Sequence, residues 1–514
     1  ITMNYENPIL RGMYPDPSVV RVGDTYYLAT STFEYYPGIA LSKSTDLLNW
    51  EKIPGVTTTS TQADLSQAKS NEGIFAVCLR YHAEHFYAIT TNFAEFKTFF
   101  IKGTLTKTGI QWEENRTEIA VRGIDPDLYF EDGRCYVQFT GYVDDKGNKA
   151  IQQVEISVET GAILQGPEIL TFGSGGRDVE APHILKKDGW YYLLMAEGGT
   201  GVGHMITMFR SRNLWGPYDA PANVNPLFTN RDRAEKPLQN IGHGDLFQDI
   251  LGNWWLTCLG TRPATVGFTQ ITNIGRETLL YPVKWSGDWP QIYTGVPEQT
   301  VDMKDFPEHA KVLTTAQTLT PFVDDFMEKN LQPEWITLRG SLQEKLQVTP
   351  SSLSLTGGTT TLSDTGTPSF LGVRQTEHEE DFRVILDREQ TQIRAGKLGV
   401  ACLINNDHYA ALLIEKVAEG YRLVRFQKVA DLEVHEVLGT LADMPESMGI
   451  THHTAKKRFW AYGDGQEFGF DTAALHFSNE AIAALNTGDF QGMYVLGDAL
   501  MSVKEVRRTQ ISCS

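Results

Sequence analysis

The chain has 514 residues, of which 41% are apolar and 21% are charged, a composition ordinary for a soluble globular protein of two to four domains. Its 64 acidic and 45 basic side chains give a formal charge of −19. A chain this acidic is repelled by phosphate backbones, so we expect no nucleic-acid partner. We expect no membrane partner either, because no apolar run approaches the roughly 18 residues that span a bilayer.

The cysteines are few and odd in number, and none forms a CxxC pair. They are Cys78, Cys135, Cys258, Cys402 and Cys513. This pattern predicts neither a disulfide framework nor a cysteine zinc site. The N-terminal stretch ITMNYENPIL shows no basic region followed by an apolar one, so we expect a cytoplasmic protein, with a mature secreted form as the alternative. A homo-oligomer is compatible with the sequence.

Five segments of similar shape follow one another through the first 300 residues. In each, a short β run leads through a polar turn with Gly or Asp into a second β run. The segments are YPDPSVVRVGDTYYLATST from Tyr14, GIFAVCLRYHAEHFYAITTN from Gly73, GIDPDLYFEDGRCYVQFTG from Gly123, DVEAPHILKKDGWYYLLMAEG from Asp178 and GHGDLFQDILGNWWLTCLGTR from Gly242. They predict an all-β five-bladed β-propeller over residues 1–300, with unrelated hairpins of a β-sandwich as the alternative.

The rest of the chain carries no such repeat. The polar stretch VPEQTVDMKDFPEHAKV at residues 296–312 contains two prolines, and we place the inter-domain connection there. Residues 320–514 alternate polar and apolar positions between turns, as in GKLGVACLINNDHYAALLIEK. This alternation predicts a C-terminal β-sandwich as a second, accessory domain.

Alignment of the repeats brings several acidic residues into equivalent positions. At the same distance before the second β run stand Asp16, Ala76, Asp125, Glu180 and Gly244, the last beside His243. Equivalent positions of propeller blades lie on a ring around the axis, so three carboxylates are predicted to meet there. Carboxylates that converge repel one another, and burial raises the free-energy cost of keeping them ionised. A contribution to stability therefore does not explain the three acids.

Hydrolysis of a glycosidic bond gives each of the three acids a role. One carboxylate serves as base or nucleophile and one carboxylic acid protonates the leaving oxygen. A third carboxylate nearby keeps that acid protonated by raising its pKa. Two alternatives stay open: a bound calcium ion that neutralises the cluster, and a carbohydrate-binding propeller without catalysis.

Several motifs, in this order along the chain, resemble glycoside hydrolase family 43. They are NPILRGMYPDPSVVRVGDTYYLATSTFEYYPG, GIDPDLYFEDG, DVEAPHI, AEGGT, IGHGDL and IGRET. The resemblance is to the two-domain β-xylosidase and α-L-arabinofuranosidase members, and DDFMEKNLQPEW from Asp324 is similar to the opening of their concanavalin-like second domain. It implies an exo-acting, inverting glycosidase that needs no cofactor for its chemistry.

The resemblance also implies roles for the acids. Asp16, in YPDPS, corresponds to the general base that activates water, and Glu180, in EAPH, to the general acid. Asp125, in IDPDL, corresponds to the residue that raises the pKa of Glu180 and orients it. Asp127 and Asp178 are the fallback candidates, because strand alternation places them on the same face as these acids.

Substrate-binding residues follow from the same motifs. Phe33, in STFEYYPG, corresponds to the hydrophobic wall of the sugar pocket, and Arg276, in IGRET, to an arginine that donates to sugar hydroxyls. His243, in GHGDL, matches a histidine near the propeller axis that in some members approaches a central cation. It is therefore a candidate both for substrate binding and for a calcium site, with a core histidine as the alternative.

One stretch departs from the family pattern GG-[IL]-W-A-P. Here residues 72–77 read EGIFAV, so Phe75 stands where the family has a pocket-shaping tryptophan and Val77 where it has proline. A reshaped wall favours a furanose. We therefore expect release of terminal L-arabinofuranose from arabino- or arabinoxylo-oligosaccharides, with a β-D-xylosidase or a bifunctional enzyme on xylo-oligosaccharides as the alternative.

Overall fold

A computed structural model describes residues 3–512 as an almost entirely β protein. The chain divides into two compact units. Unit 1 comprises the described residues up to 65, residues 72–262 and residues 276–318, and unit 2 comprises residues 66–71, residues 263–275 and the described residues from 319 onward. Within residues 3–512, none of the helices has the length and apolar character that crossing a bilayer requires.

Unit 1 is a five-bladed β-propeller, which confirms the fold predicted from the repeats. Each blade is one antiparallel sheet, and the blades follow one another in chain order. The first two blades consist of Ser18–Val22, Thr25–Thr30, Ala40–Ser44 and Glu51–Ile53, and of Cys78–His82, His85–Asn92, Lys97–Thr106, Gly109–Trp112 and Thr117–Ile119. The third and fourth consist of Gly123–Ile124, Tyr129–Glu131, Arg134–Tyr142, Lys149–Ile156 and Ile163–Thr171, and of Glu180–Lys187, Trp190–Glu197 and Met205–Ser211. The fifth consists of Gln239–Gln248, Trp254–Thr261, Glu277–Ser286 and Trp289–Ile292.

The ring of blades closes on itself. Strand Ser18–Val22 of the first blade contacts both Cys78–His82 of the second and Gln239–Gln248 of the fifth. Outside the blades, Asn4–Glu6 pairs antiparallel with Thr300–Asp302. Unit 1 also contains the short strand Tyr35–Tyr36 and the helical turn Pro307–Ala310.

The contacts of strand Ser18–Val22 with the first strands of two other blades indicate that the first strands lie toward the axis. The aligned acids are expected there.

Large aromatic side chains fill the space between the blades. Trp255 is fully buried, and its ring nitrogen donates to the Asp249 carboxylate at 2.9 Å. Tyr192 lies edge-on to Trp285 and Trp289, with ring centroids 4.9 and 5.8 Å apart. Such pairs contribute about 0.5–1.5 kcal/mol each beyond the area that they bury. They make the blades a rigid support for the residues at the axis.

Unit 2 is a β-sandwich of two sheets, again as predicted. One sheet contains Phe322–Asp324, Leu346–Thr349, Ser352–Thr356, Glu379–Leu386, Gln392–Ile393, Ser447–His453, Lys456–Gly463, Gln466–Ala473 and Ala499–Gln510. The other contains Phe370–Arg374, Lys397–Asn405, His408–Val417, Gly420–Val429, Leu432–Leu441 and Phe490–Leu496. Alternate residues such as Leu398, Val400 and Ile404 point into one core between the sheets. Unit 2 also contains strand Thr337–Leu338 and the 3₁₀ turns Gln343–Lys345 and Ala474–Phe477.

Two short segments belong to unit 2 although they lie within the first 300 residues. Segment 263–275 contains the hairpin of Ala264–Val266 and Thr269–Ile271. It is held by Asn273, whose side-chain amide donates to the carbonyls of Ala474 and Phe477 at 2.9 Å each. The amide thereby satisfies carbonyls of the 3₁₀ turn and its end, which anchors the hairpin.

The cysteines behave as buried apolar residues. Cys78, Cys135, Cys258 and Cys402 are buried and carry free thiols, whereas Cys513 lies outside the described residues. The described cysteines therefore form no disulfide.

Candidate active site

In four blades, a residue within or next to the first strand lies in the left-handed backbone region. Asp16, Asp125, Ala181 and His243 have φ angles of 56°, 51°, 57° and 50°. Non-glycine residues in this region cost of order 1–3 kcal/mol each, and they persist where the surrounding structure imposes them. Here the strain recurs at the aligned ring positions or directly beside them, which marks the axial end of the blades as the candidate site.

Asp16 is buried and is contacted through both of its carboxylate oxygens. Ser31 Oγ donates to Oδ2 at 2.6 Å. His243 Nδ1 lies 3.0 Å and Arg276 Nη1 3.5 Å from Oδ1. Burial by itself raises the pKa of Asp16, but the positive charges of Arg276 and His243 outweigh it and hold the pKa well below its usual range. Asp16 is therefore ionised at any working pH.

Glu180 has the opposite electrostatic environment. Burial, followed by the negative charge of Asp125, raises its pKa from 4.5 to about 7, although Lys149 acts against this shift. Asp125 accepts a hydrogen bond at Oδ2 from the Ala181 N–H at 3.1 Å, and its own pKa is raised by burial and by Asp16 against the effect of His243. A carboxylic acid with a pKa near neutrality is suited to proton donation.

A lysine that the sequence analysis did not identify contacts Glu180. Lys149 begins the fourth strand of blade three, and its Nζ lies 3.3 Å from Glu180 Oε1 and 3.2 Å from Asp178 Oδ1. Arg177 Nε donates to the other oxygen of Asp178 at 2.7 Å. Burial raises the pKa of Asp178, but Lys149 and Arg177 lower it below the ordinary value. Asp178 is thus an ionised partner of two cations, which does not suit the fallback role of acid.

Three aromatic rings, those of Phe33, Phe75 and Phe93, pack together beside Arg276. The Phe33 ring lies 5.3 Å from the ring of Phe75, centroid to centroid. Phe75 in turn stacks on Phe93, a residue that sequence reasoning missed, at 4.6 Å and nearly parallel. The Arg276 guanidinium lies 5.7 Å from the Phe33 ring centroid and donates to Thr200 Oγ1 at 3.3 Å. Apolar ring faces thus lie beside a positively charged donor, and the same guanidinium faces the Asp16 carboxylate.

Asp127 belongs to a separate group of charged residues, which also contains Arg80, His183 and Asp245 and is called the second layer below. Arg80 contacts Asp245 through both terminal nitrogens, at 2.9 and 3.0 Å, and Asp127 at 3.3 Å. His183 Nδ1 lies 2.8 Å from Asp127 Oδ1, and the Ile184 N–H donates to Oδ2 at 2.9 Å. Burial opposes ionisation of Asp127, yet His183 and Arg80 hold its pKa below the ordinary value. Asp127 is therefore a paired structural anion rather than a second proton donor.

Among residues 3–512, one group places three donors close enough to hold a metal ion, and it lies in this second layer. It consists of Cys78, Asp127 and His183. Burial raises the pKa of the Cys78 thiol, and one thiol, one imidazole and one carboxylate do not resemble the oxygen-rich shell that calcium prefers. His243 instead contacts Asp16. Calcium at His243 stays a prediction.

All seven residues predicted for the site therefore occur in one connected group within unit 1. Asp16 contacts His243 and Arg276, and Arg276 contacts Phe33. Phe33 contacts Phe75. The negative charge of Asp16 raises the pKa of Asp125, and that of Asp125 raises the pKa of Glu180. The residues that the sequence missed, such as Lys149 and Arg80, carry no motif, and no repeat position marks them.

Comparisons with known proteins show which proteins both units of the chain are similar to. The family model "Glycosyl hydrolases family 43" matches residues 5–290, and "Beta xylosidase C-terminal Concanavalin A-like domain" matches residues 323–500. A non-reducing end α-L-arabinofuranosidase of Bacteroides ovatus is 32% identical over 96% of this chain and 92% of that protein. A xylosidase/arabinosidase of Butyrivibrio fibrisolvens is 34% identical over 80% of both chains. The solved structure "Bacteroides ovatus Xyloglucan PUL GH43B" superposes with a TM-score of 0.87 at 29% identity, over 99% of this chain and all of that one.

Proposed function

Because this chain belongs to glycosyl hydrolase family 43, we propose that it releases terminal L-arabinofuranose from arabino- or arabinoxylo-oligosaccharides with inversion at the anomeric carbon. The family resemblance stated from the sequence is confirmed. The chain is a glycosidase acting on arabinose- or xylose-containing glycans. We propose in addition the sugar, the exo mode, the stereochemistry and the role of each residue.

The observation that carries the proposal is the opposite surroundings of two carboxyl groups. Although Asp16 is buried, it contacts Arg276 and His243, which hold its pKa low, whereas burial and the charge of Asp125 raise the pKa of Glu180 to about 7. Hydrolysis of a glycosidic bond requires one carboxylate that accepts a proton and one carboxylic acid that donates a proton. Two carboxyl groups whose environments separate their pKa values in this way supply both forms at neutral pH.

In the proposed reaction, Asp16 is the general base. Its Oδ2 accepts from Ser31 and its Oδ1 faces His243 and Arg276, so the carboxylate is held in one orientation. It takes a proton from a water molecule as the water oxygen bonds to the anomeric carbon. The contact with Arg276 is long, at 3.5 Å, which leaves the guanidinium able to donate to hydroxyls of a bound sugar.

Glu180 is the general acid of the proposed reaction. Its proton passes to the glycosidic oxygen as the bond from that oxygen to the anomeric carbon breaks, and the electron pair of the bond stays on the oxygen. Solvent then returns the proton to Glu180 and removes the one that Asp16 accepted. The two residues supply both proton transfers, so the chemistry needs no cofactor.

The inverting course is the one that the family resemblance implies, and it is part of the proposal. The distance between the carboxyl groups of Asp16 and Glu180 distinguishes it from the retaining course. Inverting enzymes hold their two carboxyl groups about 6.5–9.5 Å apart so that water fits between one of them and the sugar, whereas retaining enzymes hold them about 5–5.5 Å apart.

The aromatic wall supports a small terminal sugar. Phe33 and Phe75 present adjoining apolar surfaces, and Arg276 lies over Phe33 and contacts Asp16. A β-D-xylosidase or a bifunctional enzyme is the second candidate, favoured by the relative named xylosidase/arabinosidase. The mechanism is the same in both cases, and the sugar that the wall accepts differs.

A substrate panel tests the proposal. Matched aryl α-L-arabinofuranosides and β-D-xylosides, followed by arabinoxylo- and xylo-oligosaccharides, are compared by kcat/KM, and the products are identified by chromatography. We expect free L-arabinose from the non-reducing ends and higher kcat/KM for arabinofuranosides. Turnover of xylosides alone would replace the sugar in the proposal, and internal cleavage of long chains would contradict the exo mode. Asp16→Ala is the control for contaminating activity.

A further inference from the structure

Glu180 makes a direct contact that neither the family motifs nor the propeller repeat requires. Lys149 Nζ lies 3.3 Å from one carboxyl oxygen of Glu180, Oε1. Lys149 belongs to blade three, whereas Glu180 begins the first strand of blade four. The contact therefore crosses from one blade to the next, and it depends on both blades keeping their places.

Asp178 fixes the lysine in this position. Its Oδ1 accepts from Lys149 Nζ at 3.2 Å, and its Oδ2 accepts from Arg177. The Lys149 side chain is 14% exposed. Burial by itself lowers the pKa of Lys149, but Glu180 and Asp178 outweigh it and raise the pKa above its ordinary value. Lys149 is therefore charged throughout the neutral range and has only protons to offer to Glu180.

A charged amine restricts where the acid carries its proton. An ammonium group donates hydrogen bonds and accepts none, so the Glu180 oxygen that it faces cannot also carry a hydrogen directed at it. With Oε1 accepting from Lys149, the proton of the neutral acid belongs on Oε2. We infer that Lys149 is a positioning residue for the general acid: held by Asp178, it binds Oε1 of Glu180 and leaves the transferable proton on Oε2.

The same contact has a second consequence after proton transfer. When the proton of Oε2 has moved to the glycosidic oxygen, Glu180 is a carboxylate, and the ammonium group 3.3 Å away stabilises it. Asp125 and burial favour the protonated form before transfer, whereas Lys149 favours the ionised form after it. Lys149 thus moves the pKa of Glu180 downward, from a higher value toward the neutral range.

Three variants separate the parts of this inference, which rests on Glu180 being the acid. Lys149→Met removes the charge and the donor, Lys149→Gln keeps a donor without the charge, and Lys149→Arg keeps both. Loss of the positive charge raises the pKa of Glu180, so the alkaline limb of kcat/KM should move up by about 1 pH unit in Met and Gln variants. With Arg it should stay within a few tenths of a unit.

Leaving-group dependence reports on the position of the proton. For Lys149→Met we expect kcat on natural oligosaccharides to fall on the order of 10-fold or more, because a misplaced reacting group commonly costs that much. Activated aryl glycosides should change about 2-fold or less, since their departure needs little protonation. Lys149→Gln should lose less than Lys149→Met on the natural substrates, because its amide still donates to Oε1.

Asp178→Asn supplies a shift of the opposite sign. Removal of this negative charge favours ionisation of Glu180, and the amide oxygen of the variant can still accept from Lys149, so the alkaline limb should move to lower pH. If the lysine has a purely structural role, variants that retain the wild-type melting temperature will lose activity equally on all substrates and keep the wild-type pH profile. That result would overturn the inference. Glu180→Ala separates this outcome from failure of the proposed function. If Glu180→Ala spares natural and activated substrates alike, Glu180 is not the acid. If Glu180→Ala slows natural substrates more than activated ones and the lysine variants do not, only the role of Lys149 fails.

Discussion

Asp125→Asn should lower the pH at which the enzyme loses activity on its alkaline side. In the wild type, burial and the charge of Asp125 raise the pKa of Glu180 from 4.5 to about 7. The substitution removes the charge but keeps an oxygen that can accept from the Ala181 N–H. The pKa of Glu180 therefore falls while the backbone contact stays. Because activity requires protonated Glu180, the alkaline limb moves to lower pH.

The size of the effect is bounded by the two pKa values. At pH 7 a Glu180 with a pKa of about 7 is protonated in about half of the molecules. A fall of about 1 unit leaves about a tenth protonated, so activity drops roughly 5-fold, and a complete return to 4.5 would give about 150-fold. Burial is the larger cause of the shift and is unchanged. We therefore expect the loss of activity at pH 7 to be nearer roughly 5-fold than about 150-fold.

The pH dependence of this loss is the diagnostic measurement. At about pH 5 both enzymes hold Glu180 mostly protonated, so kcat/KM of the variant on arabinoxylo-oligosaccharides should approach that of the wild type. Profiles of kcat/KM between about pH 4 and pH 9 report the apparent pKa values of the free enzyme. They belong to the coupled carboxyl groups together, so the direction of movement is the quantity to compare. A loss of equal size at every pH would refute the electrostatic role of Asp125.

Three further predictions concern the acid, the base and the second charged layer. Glu180→Ala should slow the hydrolysis of natural oligosaccharides about 10²–10⁴-fold more than that of activated aryl glycosides. Asp16→Ala should abolish turnover of both. Equal losses on the two kinds of substrate in Glu180→Ala would show that Glu180 is not the acid. Proton NMR of the first-formed sugar should show the inverted anomer, and retention would require a nucleophile instead of a base. Arg80→Met should cost about 3–5 kcal/mol in urea unfolding, because it leaves Asp127 and Asp245 buried with less compensating charge; an unchanged midpoint would contradict that electrostatic account.

The sequence determined the architecture and the three ring acids because both depend on repetition. Each blade begins with a strand whose first residues face the axis, so an alignment of repeats identifies Asp16, Asp125 and Glu180 whatever the lengths of the loops between them. The alternation of apolar residues likewise predicts the sandwich, since one face of each strand must be buried. Motifs added Phe33 and Arg276, which contact each other at the site.

Only the tertiary structure decided the electrostatics of the site. The difference between Asp16 and Glu180 arises from neighbours on other blades: Arg276 and His243 act on the first, and Asp125 and Lys149 on the second. Coulomb interactions depend on distance and on burial, and a one-dimensional pattern states neither. For the same reason the sequence could not tell whether Asp127 and Asp178 were free acids or paired anions. Two residues can occupy equivalent repeat positions and still differ in pKa by several units, because the blades are alike in backbone and unlike in the side chains that they bring together.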